Sequence, residues 1–77
     1  MNWPERIAFD PEVCHGQACI RGTRVLVSVV LDNLADGETP STLAEAYGIS
    51  AEDVHAALLY AAALAHERNI PLAHGAP

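Results

Sequence analysis

The chain contains no lysine, and its four arginines stand against ten carboxylates for a formal net charge of -6. Affinity for a phosphate backbone comes almost entirely from Lys and Arg, so unaided nucleic-acid binding is not expected of this composition. Aromatic residues are scarce, at 5% against 51% hydrophobic residues in all. A core of Ala, Leu, Val and Ile favours helices in contact over a large substrate cavity. There are two cysteines, Cys14 and Cys19, and no second Cys pair. A structural zinc site needs four ligands, and His55, His66 and His74 are not at paired spacing, so small buried thiols are preferred over a metal site at Cys14, His15 and Cys19. No serine or cysteine sits in a nucleophile's context, and the carboxylates are spaced as solvated helix faces or caps. Neither an enzyme, a metal nor a cofactor is expected. The first ten residues lack the basic start and apolar run of a signal peptide, which leads us to expect a cytoplasmic protein with reduced thiols.

What the sequence does have is one long apolar helix, predicted from Ala51 to about Arg68. Between Val54 and Ala65 only His55 and Tyr60 interrupt a run of Ala, Leu and Val. One stripe, Val54, Ala57, Leu58, Ala61, Leu64 and Ala65, follows helical spacing and is expected to pack on the domain. A second, Ala56, Leu59 and Ala63, lies on another face. A chain of 77 residues buries only about 60% of its unfolded surface, so this second stripe is expected to meet a partner chain. A bilayer core requires about 20 predominantly apolar residues; the run is shorter and alanine-rich, and a soluble helix is expected instead.

Taken in order, Trp3 to Phe9 reads as a short strand with Ile7 and Phe9 inward and Ala8 outward, ended by Asp10-Pro11. His15-Gly16-Gln17 is a turn signal, Cys19-Ile20-Arg21 a returning strand, and Gly22-Thr23 a tight bend that calls for a positive φ at glycine. A first helix is predicted over Val27 to Asp36, with Val27, Val30, Leu31 and Leu34 inward and Gly37 beyond its end. Thr39 is the cap of a second, from Pro40 to about Ala46, which carries Leu43 and Ala44 inward. After Gly48, Ser50 and Asp53 form a capping-box-like start for the long helix. The expected organisation is a single domain over 1–69, a β-like arm over 1–25 and a helical unit over 26–69, with a flexible tail over 70–77.

Residues Leu43 to Tyr60 have the outline of a helix-turn-helix. In a DNA reader the first turns of the second helix present Arg, Lys, Asn or Gln to base edges. Here the DNA-facing positions are Ser50, Ala51, Glu52 and His55, next to Asp53, so a helical hairpin used for packing is favoured over direct readout. Arg21 and Arg24 flank Gly22-Thr23. Each is expected either to pair with a nearby carboxylate or cap a helix end, or to hold an acidic partner surface, for which a guanidinium fork is suited. Arg68 complements the dipole of the long helix. Leu59, Ala63, Arg68, Ile70 and Leu72 complete the candidate partner-binding set with these two arginines, Ile70 and Leu72 as anchors of an extended tail. Fraying is the alternative for that tail.

The run Asp10-Pro11-Glu12-Val13-Cys14-His15-Gly16-Gln17-Ala18-Cys19-Ile20-Arg21-Gly22-Thr23-Arg24-Val25 is followed by a Val-rich helix, Asp36-Gly37 and a Leu43-Ala44-Glu45 to Tyr47-Gly48-Ile49 turn. Together these resemble the domain of unknown function 433 family from Ile7 to about Ala65, most specifically at Ile20-Arg21-Gly22-Thr23-Arg24. Ala18 stands where that family usually has proline, and His15 where it usually has glycine. The resemblance implies a mainly α fold in which a small N-terminal β element precedes a three-helix, homeodomain-like helix-turn-helix unit. It also implies a VapB-like antitoxin that binds a cognate PIN-like ribonuclease toxin, as a homodimer or a hetero-oligomer with the toxin, and represses its own operon within that complex. A helix-turn-helix transcriptional regulator that binds DNA directly as a dimer is the alternative, and a purely structural dimerisation module a third.

Overall fold

The computed structural model describes residues 2–67; Arg68 and the expected tail over 70–77 lie outside the described residues. A 3-10 helix over Trp3–Arg6 runs into strand β1 (Ile7–Ala8), helix α1 (Pro11–Cys14), strand β2 (Cys19–Ile20) and the helices α2 (Val27–Ala35), α3 (Pro40–Tyr47) and α4 (Ala51–Glu67). The chain is thus mainly helical with a two-stranded sheet near its amino terminus. No helix among the described residues is long and apolar enough to cross a membrane.

The expected strand over Trp3 to Phe9 shrinks to Ile7–Ala8, because Pro4 sits in the first turn of a 3-10 helix instead. Proline's fixed φ and missing N–H suit a helix start and do not suit a strand interior. β1 and β2 are antiparallel, with Ile7 opposite Ile20 and Ala8 opposite Cys19. Ile7 is buried as expected, but Phe9 is 54% exposed rather than inward. The strand ends before Phe9, and Asp10 turns the chain away by capping α1, its carboxylate accepting from the Glu12 N–H at 2.9 Å. After α1 the turn needs left-handed backbone at His15 (φ 54) and Gly16 (φ 79). Glycine adopts that conformation without a Cβ penalty, which accounts for the glycine that the resemblance leads one to expect at position 15.

Beyond β2 the chain reverses within four residues. The Thr23 N–H donates to the Ile20 carbonyl at 3.0 Å, and Gly22 between them has φ 81, the positive value that the third position of a type II turn requires. Thr23 closes the bend, its hydroxyl donating to the Ile20 carbonyl at 2.7 Å and accepting from the Val25 N–H at 3.0 Å. The helical caps follow the sequence. Thr39 accepts from the Thr42 N–H at 3.1 Å, and Gly48 ends α3 at φ 65. Ser50 and Asp53 cap α4 reciprocally, the Asp53 N–H donating to the serine oxygen at 3.0 Å and the Ser50 N–H to the aspartate at 3.1 Å.

Ile7, Ile20, Val27, Val30, Leu43, Ile49, Val54, Ala56 and Ala57 form the core, with Trp3, Leu31, Leu34 and Tyr60 packed against it. Val54 and Ala57 lie inward as the periodicity predicts, and Ala56, expected on the uncovered stripe, is fully buried. Leu59 and Ala63 of that stripe are half-buried. The reason is the amino-terminal 3-10 helix, which lies along α4 and sets Trp3 edge-on to Tyr60 with ring centroids 6.0 Å apart. The expected inward stripe is corrected in the other direction. Leu58 is 42% and Leu64 38% exposed, and Ala65 is exposed. With about 100° between successive residues, the arc closed by the core from Val54 to Tyr60 leaves Leu58 beyond its edge.

Two outcomes check this packing by chemical denaturation. Ala56→Leu overfills a closed site and is expected to destabilise the fold by about 1–3 kcal/mol, whereas Ala62→Leu, on an exposed position, stays within about 0.5 kcal/mol of the parent. His15→Gly relieves a left-handed side chain that costs roughly 1–2 kcal/mol against the larger backbone entropy of an unfolded glycine. It is expected to stabilise by about 0.5–1 kcal/mol, as a rise in the denaturation midpoint at unchanged slope.

Candidate functional site

The segments around the two short strands have two sides. Ala8 and Asp10 turn to one side and Phe9 to the other, as alternate residues of an extended chain must, and Cys19 and Ala18 divide in the same way. On the first side Ala8, Asp10, Val13, Cys19, Gly22 and Thr23 line a cleft of about 410 Å³ to which both Arg21 and Arg24 contribute. Two of the chain's four cations therefore meet at one place on an acidic molecule.

The two arginines differ in what they do there. Arg21 is tied back to the amino terminus, its Nε donating to the Glu5 carbonyl at 2.6 Å and its Nη2 to the Ile7 carbonyl at 2.9 Å. The Arg21 N–H also donates to the Arg6 carbonyl at 2.8 Å. It pairs with no carboxylate among the described residues and instead caps the end of the 3-10 helix, one of the roles expected of it, because the bend at Gly22 returns the chain beside the last carbonyls of that helix and β1. Arg24 is exposed and makes no ion pair among the described residues. It is the cation of this cleft that is available to a carboxylate.

Cys14 and Cys19 are buried and not bridged. Burial, and then the neighbouring Cys14 thiol, push the Cys19 thiol up from its ordinary 9.0 to about 11. A thiol so far from ionisation is a poor nucleophile. No group of three or more His, Cys, Asp or Glu side chains stands close enough to hold a metal among the described residues.

At the helix-turn-helix, Ser50, Ala51, Glu52 and His55 are all exposed. Ser50 is spent on the cap, and Glu52 accepts from Arg6 at 3.4 Å. Arg6 also reaches Asp53 at 3.0 Å. This arginine had no role in the sequence reading, and no spacing rule finds it, since 47 residues separate it from Asp53. Of the candidate partner-binding residues, the structure brings Arg21 and Arg24 together, leaves Leu59 and Ala63 half-buried on α4, and does not bring the two pairs into one site. Arg68, Ile70 and Leu72 lie outside the described residues.

Burial by itself would raise the Asp53 carboxyl, but the Ser50 N–H, the Arg6 guanidinium and the serine hydroxyl outweigh it and hold it below its ordinary 3.8. A depressed folded-state pKa contributes stability that is present above the unfolded value and lost as the pH falls through the folded one. Denaturation followed at falling pH should therefore show stability lost below about pH 4, with part of that loss absent in Asp53→Asn. That variant should be weaker by about 1 kcal/mol at neutral pH, through the cap and the Arg6 contact.

No curated protein and no solved structure matches the chain. The family described as "Protein of unknown function (DUF433)" matches over residues 7–61, a stretch that begins at β1, takes in both arginines of the cleft and the whole helix-turn-helix, and ends inside α4. The chain belongs to that family.

Proposed function

We propose that this protein is an antitoxin-like binding module that holds and neutralises a PIN-like ribonuclease toxin in the cytoplasm, doing no chemistry of its own. The observation that carries this reading is the exposed Arg24, without an ion-pair partner among the described residues, beside the anchored Arg21 in one cleft of a molecule otherwise dominated by carboxylates. Arg21, held by two carbonyls, stiffens the bend, so the backbone that carries Arg24 is fixed before a partner arrives. The planar guanidinium fork on that backbone suits a carboxylate on a partner. The family resemblance supplies the identity of that partner.

Direct DNA reading is the weaker alternative. The first turn of α4 offers Glu52 and Asp53, both engaged with Arg6, and an exposed His55, where a recognition helix would present cations or amides. Operon control, in this reading, belongs to the complex with the toxin, whose own cations would supply phosphate contacts.

Co-expression with the nuclease-like product of a neighbouring gene is expected to give a stable complex and to relieve growth inhibition. Arg24→Glu should weaken that complex at least about tenfold, and Arg24→Lys less, with retained folding in each case by circular dichroism. Failure of the two proteins to co-purify overturns the reading. Operator binding by the isolated chain that falls steeply with salt would favour the DNA alternative.

A further inference from the structure

Two hollows adjoin the short strands, and their linings differ in kind. The groove that Phe9 and Ala18 share with Leu31 of α2 and with Tyr60 and Leu64 of α4, of about 390 Å³, has no charged residue in its lining. The cleft of the arginines has three, Arg21, Arg24 and Asp10, set about Ala8, Val13 and Cys19. It is a site of mixed charge, and capping α1 occupies only one oxygen of its carboxylate.

Asp10 and Arg24 are both exposed, and neither belongs to an ion pair among the described residues. Opposite charges thus line one hollow without neutralising each other. The buried Cys19 thiol between them registers both signs: after burial and the Cys14 thiol, the Asp10 carboxylate raises its pKa and the Arg21 guanidinium lowers it. A hollow of this kind discriminates by charge. A partner group that is only a carboxylate meets Arg24 but also the repulsion of Asp10, and one that is only a cation meets Asp10 but also two guanidiniums. A group carrying both signs is opposed by neither. Small-molecule sites enclose most of their ligand, whereas Asp10, Arg21, Gly22 and Arg24 are all exposed, so side chains projecting from a protein surface fit this cleft better than a free zwitterion does.

We propose that this cleft receives an acidic and a basic side chain that stand next to each other on the partner's surface, the carboxylate on Arg24 and the cation on Asp10. The proposal rests on the toxin-binding reading for the partner's identity, and it makes Asp10 a binding residue as well as a helix cap. The cleft then rejects surfaces of a single sign, a selectivity that Arg24 alone does not supply.

Asparagine caps a helix about as well as aspartate does, so Asp10→Asn removes the charge and keeps α1, with folding checked by circular dichroism. In the complex with the nuclease-like partner it is expected to weaken binding about two- to fivefold, a loss that shrinks as salt is raised. Were Asp10 only a repulsive neighbour of Arg24, the same substitution would tighten the complex. A complex unchanged or tightened by Asp10→Asn but weakened by Arg24→Glu overturns the proposal and leaves the toxin-binding reading standing. Peptides with blocked ends test the cleft without the nuclease. An alternating glutamate and lysine peptide is expected to shift the Gly22, Thr23 and Arg24 amide resonances of the full chain saturably, and less so in Asp10→Asn and in Arg24→Gln. Peptides of glutamate with alanine, or of lysine with alanine, are expected not to. Equal binding of either single-sign peptide, or no binding of the mixed one, overturns the proposal. So does equal saturation by free alanine, which would assign the cleft to a small zwitterion. Mixed-peptide binding lost in both variants, without any nuclease complex, keeps the selectivity of the cleft and removes the toxin-binding reading.

Discussion

Helix α4 is apolar around most of its circumference, and hiding it is the requirement on which the remaining structure depends. The helices α2 and α3 cover the side that carries Val54 and Ala57. The amino-terminal 3-10 helix covers another, joined to α4 by the contact of Trp3 with Tyr60 and by the bond from Arg6 to Asp53. Small residues make this wrapping feasible, since alanine at 56 and 57 lets neighbouring backbone approach without a side chain to accommodate. The Arg6 bond is half-buried and tied into the helix cap, so it also fixes the orientation in which the arm is laid down. A surface ion pair alone would contribute little.

Once the arm is laid along α4, its local geometry divides the surface by chemistry. A short extended stretch sends alternate side chains to opposite sides, and the tight bend at Gly22 returns Arg21 to the carbonyls of the first turn. Neighbouring residues of the two strand segments thereby line different clefts, Ala8, Asp10 and Cys19 the one with the arginines and Phe9 and Ala18 the apolar one. The cleft with Arg24 and the groove between Phe9 and Leu64 are consequences of one fold element.

Local signals in this chain were reliable where the interaction they encode is local. Thr39, Gly48, and Ser50 with Asp53 act within a few residues of backbone, and each cap appears where the sequence calls for it. The positive φ at Gly22 and the helical periods of α2 and α3 belong to the same class. Pro4 was legible too, and weighing it against the alternation of Ile7, Ala8 and Phe9 would have shortened the first strand. The joint placement of Arg21 and Arg24 was suggested by their spacing around a glycine bend, although the carbonyls that anchor Arg21 were not.

By itself, the sequence determined the helices α2 to α4, the caps at Thr39, Gly48 and Ser50, the bend that presents the arginines, the acidic balance, and the surplus of apolar helix that needed covering. Which face of α4 would be covered, and by what, was decided only in three dimensions. Helical periodicity reports that several faces are apolar but carries no information about which distant segment will reach them. Arg6 meeting Asp53, Trp3 meeting Tyr60, and Phe9 left beside Leu64 all join residues from opposite ends of the chain. Such contacts depend on how the whole body closes, and a window of neighbouring residues does not contain them.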